Sequence, residues 1–267
     1  MTTDYQALAR EAVTRLPERA PLLHHLTNFV TAQDQANVAL AYGASPVMAP
    51  AREEVPELAA VTGALVINVG TLDPEQVESM LVAGRVAAEN DRPIVLDPVG
   101  AGATGLRTRS AEQLLDELPI SVLRGNRGEI GALVGAGRMR GVDAVGEEDP
   151  LQVAQGAAAK FGVAVAVTGA VDVIVGEGRT YHVHGGHPLM ASVTGTGCMA
   201  TTAIGAFLAL GGDPALQAAL ALATYGLAAD RAGSGAQGPG SFRVRLIDEI
   251  YGLRRRGVDG LDIRSPD

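Results

Sequence analysis

Thr194-Gly195-Thr196-Gly197-Cys198-Met199-Ala200 is the segment of this 267-residue chain best suited to chemistry. A turn of small residues leads straight into an Ala-rich helical pattern. The first N–H groups of a helix have no intrahelical acceptor and its dipole is positive there. Such a start attracts an anion, or charge developing on a transferred group. Glycines let a ligand approach the backbone closely. Cys198, the only cysteine, falls in the first turn. That placement predicts a lowered thiol pKa and a side chain able to take a proton from a hydroxyl. The competing reading is a small buried residue that happens to be Cys.

Three other polar groups close apolar runs. Asp97 ends Pro93-Ile94-Val95-Leu96 and is followed by the Gly-rich Pro98-Val99-Gly100-Ala101-Gly102. Its carboxylate could hold Mg²⁺ through water, or could simply form an Asx-turn. Arg124-Gly125-Asn126-Arg127-Gly128-Glu129 offers a guanidinium for phosphate oxygens and a second carboxylate at Glu129. An ordinary helix start with an acidic first turn explains Glu129 equally well. Thr168, before Gly169, offers a hydroxyl and an amide to a phosphate or ribose, or marks a turn.

Apolar runs and helical patterns alternate in a way that would place these groups together. Ala64–Gly70, Pro93–Pro98, Ser121–Arg124 and Val163–Thr168 read as buried strands, with helices over Asp73–Asn90, Ala111–Leu118 and Leu151–Phe161. Asp73 is the expected N-cap, with Pro74 at the first helical position. Asp172–Val175 and Thr180–His184 read as a hairpin around Gly176-Glu177-Gly178. Helices are expected over Cys198–Leu210, Pro214–Ala232 and Phe242–Arg256. Continuous apolar strands alternating with helices predict one three-layer α/β/α domain over 1–267 with a mostly parallel central sheet. In such sheets function collects at the carboxyl ends of the strands. Residues 257–267 are expected to be a loose tail.

Composition sets the limits. The chain is 47% hydrophobic but has no Trp, so its core must be built mainly from Ala, Val, Leu and Ile. The net charge of −9 argues against nucleic-acid and anionic-lipid partners and requires a local cluster of donors for any anionic substrate. A single cysteine allows no intrachain disulfide. Cys198–Leu210 is too short to span a bilayer, and the first residues carry no signal-peptide pattern. The expected location is cytoplasmic. The chain has no Gly-x-x-x-x-Gly-Lys-[Ser/Thr] and no Gly-x-Ser-x-Gly. His182 and His184 would share a strand face, but with His187 they find no completing ligand nearby and read as a solvated strand.

Taken in order, several segments resemble the hydroxyethylthiazole kinases of the ribokinase-like superfamily. They are Leu26-Thr27-Asn28, Ala36–Met48, Leu96–Thr104, Arg124–Glu129, Val167-Thr168-Gly169 and Gly195–Cys198. The match runs from about Leu23 to Arg256. It implies phosphorylation by ATP of the hydroxyl of 4-methyl-5-(2-hydroxyethyl)thiazole, a step in thiamine biosynthesis and salvage. It implies Mg²⁺ at Asp97 and Glu129, and ATP contacts at Arg124, Asn126, Thr168 and Gly197. It further implies thiazole contacts at Asn28, Met48 and Gly195, Cys198 as the catalytic base, and a homotrimer with pockets between subunits. Gln33 and Asp34 depart from the residues usual after Asn28, and Arg127 is bulkier than the family position suggests. The alternatives are a pyridoxal or hydroxymethylpyrimidine kinase, a hydrolase with Cys198 as covalent nucleophile, and a non-catalytic nucleotide-binding protein.

Overall fold

A computed structural model of the chain describes residues 3–135 and 149–266, together with the backbone of 138–140 and 143–145. In chain order the elements begin α1 (Tyr5–Arg19), β1 (Leu22–Leu26), α2 (Ala32–Tyr42), β2 (Ser45–Val47), α3 (Val55–Val61), β3 (Ala64–Asn68), α4 (Pro74–Glu89) and β4 (Ile94–Asp97). They continue with α5 (Gly105–Glu117), β5 (Val122–Asn126), α6 (Arg127–Leu133), β6 (Arg138–Arg140), β7 (Asp143–Val145), α7 (Pro150–Phe161) and β8 (Ala164–Thr168). The last group is β9 (Val171–Gly176), β10 (Arg179–His184), a 3₁₀ turn (Pro188–Ser192), α8 (Thr196–Leu208), α9 (Pro214–Ser234), α10 (Pro239–Arg256) and β11 (Asp262–Arg264).

Local chemistry explains the boundaries. Asp73 Oδ1 accepts from the Gln76 amide at 2.9 Å and Pro74 opens α4, as expected. α5 begins earlier than its apolar pattern suggests, because Thr104 caps it at Gly105. Asn126 and Glu129 form a reciprocal capping box that starts α6 directly at the end of β5.

The main sheet has the order β11-β10-β9-β8-β5-β4-β3-β1-β2. β2 through β8 in that order are parallel, whereas β9, β10 and β11 are antiparallel. Alternate strand residues feed two cores. Val66, Val95, Val122 and Ala166 face α1, α2, α8, α9 and α10, and Leu65, Ile67, Leu96 and Val165 face α3 to α7. The expected three layers are therefore present. From β1 the chain steps outward to β2, then returns past β1 to β3 and proceeds the other way. This reversal puts the topological switch point between the carboxyl ends of β1 and β3, where a crevice must open.

The tail is not loose. Asp262, Ile263 and Arg264 pair with His184, Val183 and His182, and Val258 is fully buried. The free edge of β10 supplies unpaired backbone groups, and Arg231 Nη1 binds the Gly257 carbonyl at 2.9 Å to steer the chain there. Among the described residues no helix is long and apolar enough to cross a membrane.

Candidate active site

The carboxyl ends of neighbouring strands are in register, so their last residues stand side by side. Asn68 of β3 is opposite Asp97 of β4, and Asn126 of β5 is opposite Thr168 of β8. α8 starts above them. Gly195 caps it in the left-handed region at φ +89°, and a Cβ there would lie 2.4 Å from Thr31 Cγ2. Only glycine fits this joint. A Cβ on Gly197 would likewise lie 2.8 Å from an Arg124 nitrogen. The small residues of the turn therefore let its amides and the guanidinium approach one another.

Asp97 is fully buried. Its Oδ2 accepts from Thr201 Oγ1 at 2.7 Å, Asn68 Nδ2 at 3.1 Å and Arg124 Nη1 at 3.4 Å. Its Oδ1 is buried with no partner. Burial pushes this carboxyl upward, against the pull of Arg124, Thr201 and Asn68. Glu129 accepts from the Gly100 amide at 2.8 Å and the Asn126 amide at 2.9 Å. Burial, reinforced by the charge of Asp97, pushes it up to about 7. Arg124 Nη2 donates to Thr168 Oγ1 at 2.5 Å, while its buried Nε has no partner.

Cys198 lies in the first turn of α8, as expected, but its thiol is not acidified. Burial pushes it up, and nearby Asp97 adds to this, against smaller opposing effects of Thr31, Arg124 and Asn68. The helix start cannot offset desolvation beside a carboxylate. The sulfur accepts from Asn68 Nδ2 at 3.3 Å and Asn28 Nδ2 at 3.5 Å.

One cavity of 520 Å³ gathers Asn28, Asp97, Arg124, Asn126, Glu129, Gly195, Gly197 and Cys198. A second, of 740 Å³, shares Arg124, Asn126 and Gly197, and adds Thr168, Asp172, Met190, Leu222 and Tyr225. Every expected site residue except Met48 thus lines one or both. Met48 lies just past β2, outside both sets of lining residues. Gln33 is exposed, and Asp34 turns to Arg243 of α10, its Oδ1 accepting from Nε at 2.8 Å. Arg127 faces a third cavity with His182 and His184. His187 accepts from the Leu189 amide and stacks on Phe242 at 5.8 Å. Among the described residues no group of three or more His, Cys, Asp or Glu side chains could hold a metal ion.

Sequence reasoning missed Asn68, Thr201, Arg107 and Asp172. Asn68 carries the same signal as Asp97, a polar residue closing an apolar strand. Thr201 is one helical turn beyond Gly197 and Cys198, hence on the same side of α8. Asp172 accepts from the Gly169 amide at 2.9 Å, and burial pushes it up to about 6. Arg107, in the first turn of α5, reaches back to the Val99 carbonyl at 3.3 Å and lines the first cavity.

Donors for an anion, two buried carboxylates and a lone thiol meet around one crevice. The hydroxyethylthiazole kinase family profile matches residues 13–256. The chain belongs to that family. A hydroxyethylthiazole kinase of Methanocella arvoryzae is 52% identical over 243 residues, covering 90% of this chain and 91% of that protein. One from Rubrobacter xylanophilus is 52% identical over 248 residues, covering 92% of each. The solved structure of a hydroxyethylthiazole kinase protein from Pyrococcus horikoshii superposes with a TM-score of 0.89 at 44% identity, over 98% of this chain and 100% of that one. A Staphylococcus aureus pyridoxal kinase, solved with AMP-PCP and pyridoxal, shares the fold at a TM-score of 0.60 and 15% identity.

Proposed function

We infer that this chain is a phosphotransferase that moves the γ-phosphoryl group of ATP to the hydroxyl of 4-methyl-5-(2-hydroxyethyl)thiazole, in thiamine biosynthesis or salvage. The observation that carries this reading is the meeting of the two cavities at Arg124 and Gly197. A donor-rich crevice with Cys198 and Asp97 opens there onto a larger one walled by Met190, Leu222 and Tyr225. The larger cavity suits a nucleotide and the crevice suits a small alcohol.

In this reading the alcohol lies against Asn28, Gly195 and Cys198. Arg124, Thr168 and Asn126 hold phosphate oxygens. The amides that open α8 face the charge that develops on the transferred group, where preorganised donors contribute most. The hydroxyl oxygen bonds to phosphorus, the bond to the bridging oxygen breaks, and ADP departs. The proton leaves the hydroxyl late and passes to the Cys198 sulfur, which must be a thiolate to take it. Since the thiol is pushed up, turnover should rise with pH through the alkaline range.

The carboxylates fit a divalent cation. Asp97 Oδ1 is a buried oxygen without a donor, and Glu129 stands beside it. Mg²⁺ is held through one or two carboxylates plus phosphates and water, so no larger protein cluster is needed. Asp97 and Glu129 would hold it, where it would neutralise phosphate charge. The same reading makes the protein a cytoplasmic homotrimer with thiazole pockets between subunits. Val30, 57% exposed, lines the crevice next to Phe29, 78% exposed, and the two are the apolar surface such an interface would cover.

The test is a panel of thiazole, pyridoxal and hydroxymethylpyrimidine alcohols with coupled ADP detection. Preference for the thiazole alcohol by at least tenfold in kcat/KM is expected. Equal or better use of pyridoxal would overturn the assignment.

A further inference from the structure

Asn68 stands between the two groups to which a proton could go. Its Oδ1 accepts from Asn28 Nδ2 and from the Gly70 amide, each at 3.0 Å. A backbone N–H can only donate, so this oxygen must face Gly70 and the nitrogen must face the other way. The two hydrogens of Nδ2 then meet two acceptors, Asp97 Oδ2 at 3.1 Å and Cys198 Sγ at 3.3 Å. Asn28 is locked by the same logic. Its Oδ1 accepts from the amide and hydroxyl of Thr31 at 3.0 and 2.9 Å, so its Nδ2 is turned to Asn68 and the sulfur. Neither amide can flip without setting its nitrogen against a backbone N–H. Asn68 is fully buried, and its hydrogen-bonding capacity is used in full. Packing alone would be served as well by leucine.

The consequences for the two acceptors differ. Asp97 Oδ2 already receives Thr201, Asn68 and Arg124, which leaves that carboxylate oxygen saturated. The sulfur receives two fixed amide donors and is thereby oriented as an acceptor.

We propose that Asn68 is a positioning residue for phosphoryl transfer, holding the Cys198 sulfur as the proton acceptor while closing Asp97 Oδ2 to that role. The substrate O–H bond breaks and an S–H bond forms on the thiolate. This rests on the reading of Cys198 as the base, and Asn68 itself touches neither substrate nor phosphate.

A double-mutant cycle in the full-length enzyme tests it. Asn68→Ala is expected to lower kcat about ten- to a hundredfold, the weight of hydrogen bonds to a charged group. Both KM values should stay within about threefold, since Asn68 itself contacts neither substrate and Thr31 still holds Asn28 through its Oδ1. In a Cys198→Ala background the same change should add less than about twofold, because its target is gone. Asn68→Asp keeps the shape and the oxygen facing Gly70 but removes the donors. It should fall as far as Asn68→Ala, and it carries the test if the alanine variant does not fold. The proposal is overturned if the Asn68→Ala loss is fully multiplicative with Cys198→Ala, if Asn68→Asp keeps wild-type turnover, or if KM rises while kcat holds. Wild-type turnover in Cys198→Ala alone would instead remove the base assignment on which the proposal stands.

Discussion

Two adjacent pairs of strand ends stand around the site at different depths. Asn68 and Asp97, at the ends of β3 and β4, are fully buried beneath α8. Asn126 and Thr168, at the ends of β5 and β8, are half-buried and border the larger cavity. The deep pair sits beside the switch point, where low dielectric strengthens each charge and hydrogen bond. The shallow pair is partly open to solvent. In the proposed function the same structural device, a polar residue closing an apolar strand, would supply chemistry at one depth and grip at another. Arg124 joins the two depths by bonding Asp97 on one side and Thr168 on the other.

The largest effect should come from Asp97→Asn. Losing the deep charge should cost turnover about 10³-fold or more, the scale of a charge-neutralising group in phosphoryl transfer. The dependence on Mg²⁺ concentration, followed by ADP release, should weaken with it. Cys198→Ala should slow turnover about 10²- to 10⁴-fold with little change in the KM for ATP. Cys198→Asp should remain active and lose the alkaline rise in kcat, which a pH–rate profile would show. Full turnover in Cys198→Ala would mean that depth alone does not mark chemistry.

Glu129 lies between the two depths and should report on stability. Its folded-state pKa of about 7 exceeds the ordinary 4.5, so between these values the native state holds a proton that the unfolded chain lacks. Stability from this group therefore rises as pH falls through that window. His25 acts oppositely. Burial lowers it from 6.5 to about 4, so the unfolded chain takes the proton first and stability is lost as pH falls from 6.5 to 4. The Leu23 carbonyl 3.1 Å from Nδ1 fixes the neutral tautomer with its proton there. Glu129→Gln should leave the His25 contribution unopposed. Chemical denaturation between pH 7 and 4.5 should then show a loss steeper than wild type by about 3 kcal/mol in total. The smallest effect belongs to the shallow end. Thr168→Ala should raise the KM for ATP about tenfold and leave kcat nearly unchanged, because a single hydroxyl contact at a half-buried position is lost while Arg124 remains. A kcat loss matching that of Asp97→Asn would erase the distinction between the pairs.

Much of this site could be read from residue order. Asp97, Arg124, Asn126 and Thr168 stood out because each breaks a hydrophobic run, and Gly195 and Gly197 because two glycines open a helix. Asn68 carries the strand-closing signal of Asp97 in weaker form, because Val69 and Gly70 continue its apolar run and blur where the strand ends. The direction of the Cys198 shift could not be read at all. It depends on Asp97, distant in sequence, and on burial under α8, neither of which a helix-start pattern contains. β1 hides His24 and His25 in a buried strand, where their ring nitrogens bond Ala49, Leu23 and Thr202, and two adjacent histidines give no strand signal. β11 is only three residues long, and its pairing with β10 is a tertiary event that local composition does not encode.

The two outermost strands also govern how this molecule can meet another. β2 and β11 each have three residues; the former carries Pro46, and the latter is charged at Asp262 and Arg264. An edge so short, with a missing donor on one side and ions on the other, offers no ladder for a further strand to join. The sheet is finished at nine strands. Extension of this nine-stranded sheet is thus disfavoured as a route to association between copies, and helix faces and loops, such as the apolar loop at Phe29 and Val30, are the surfaces left to it.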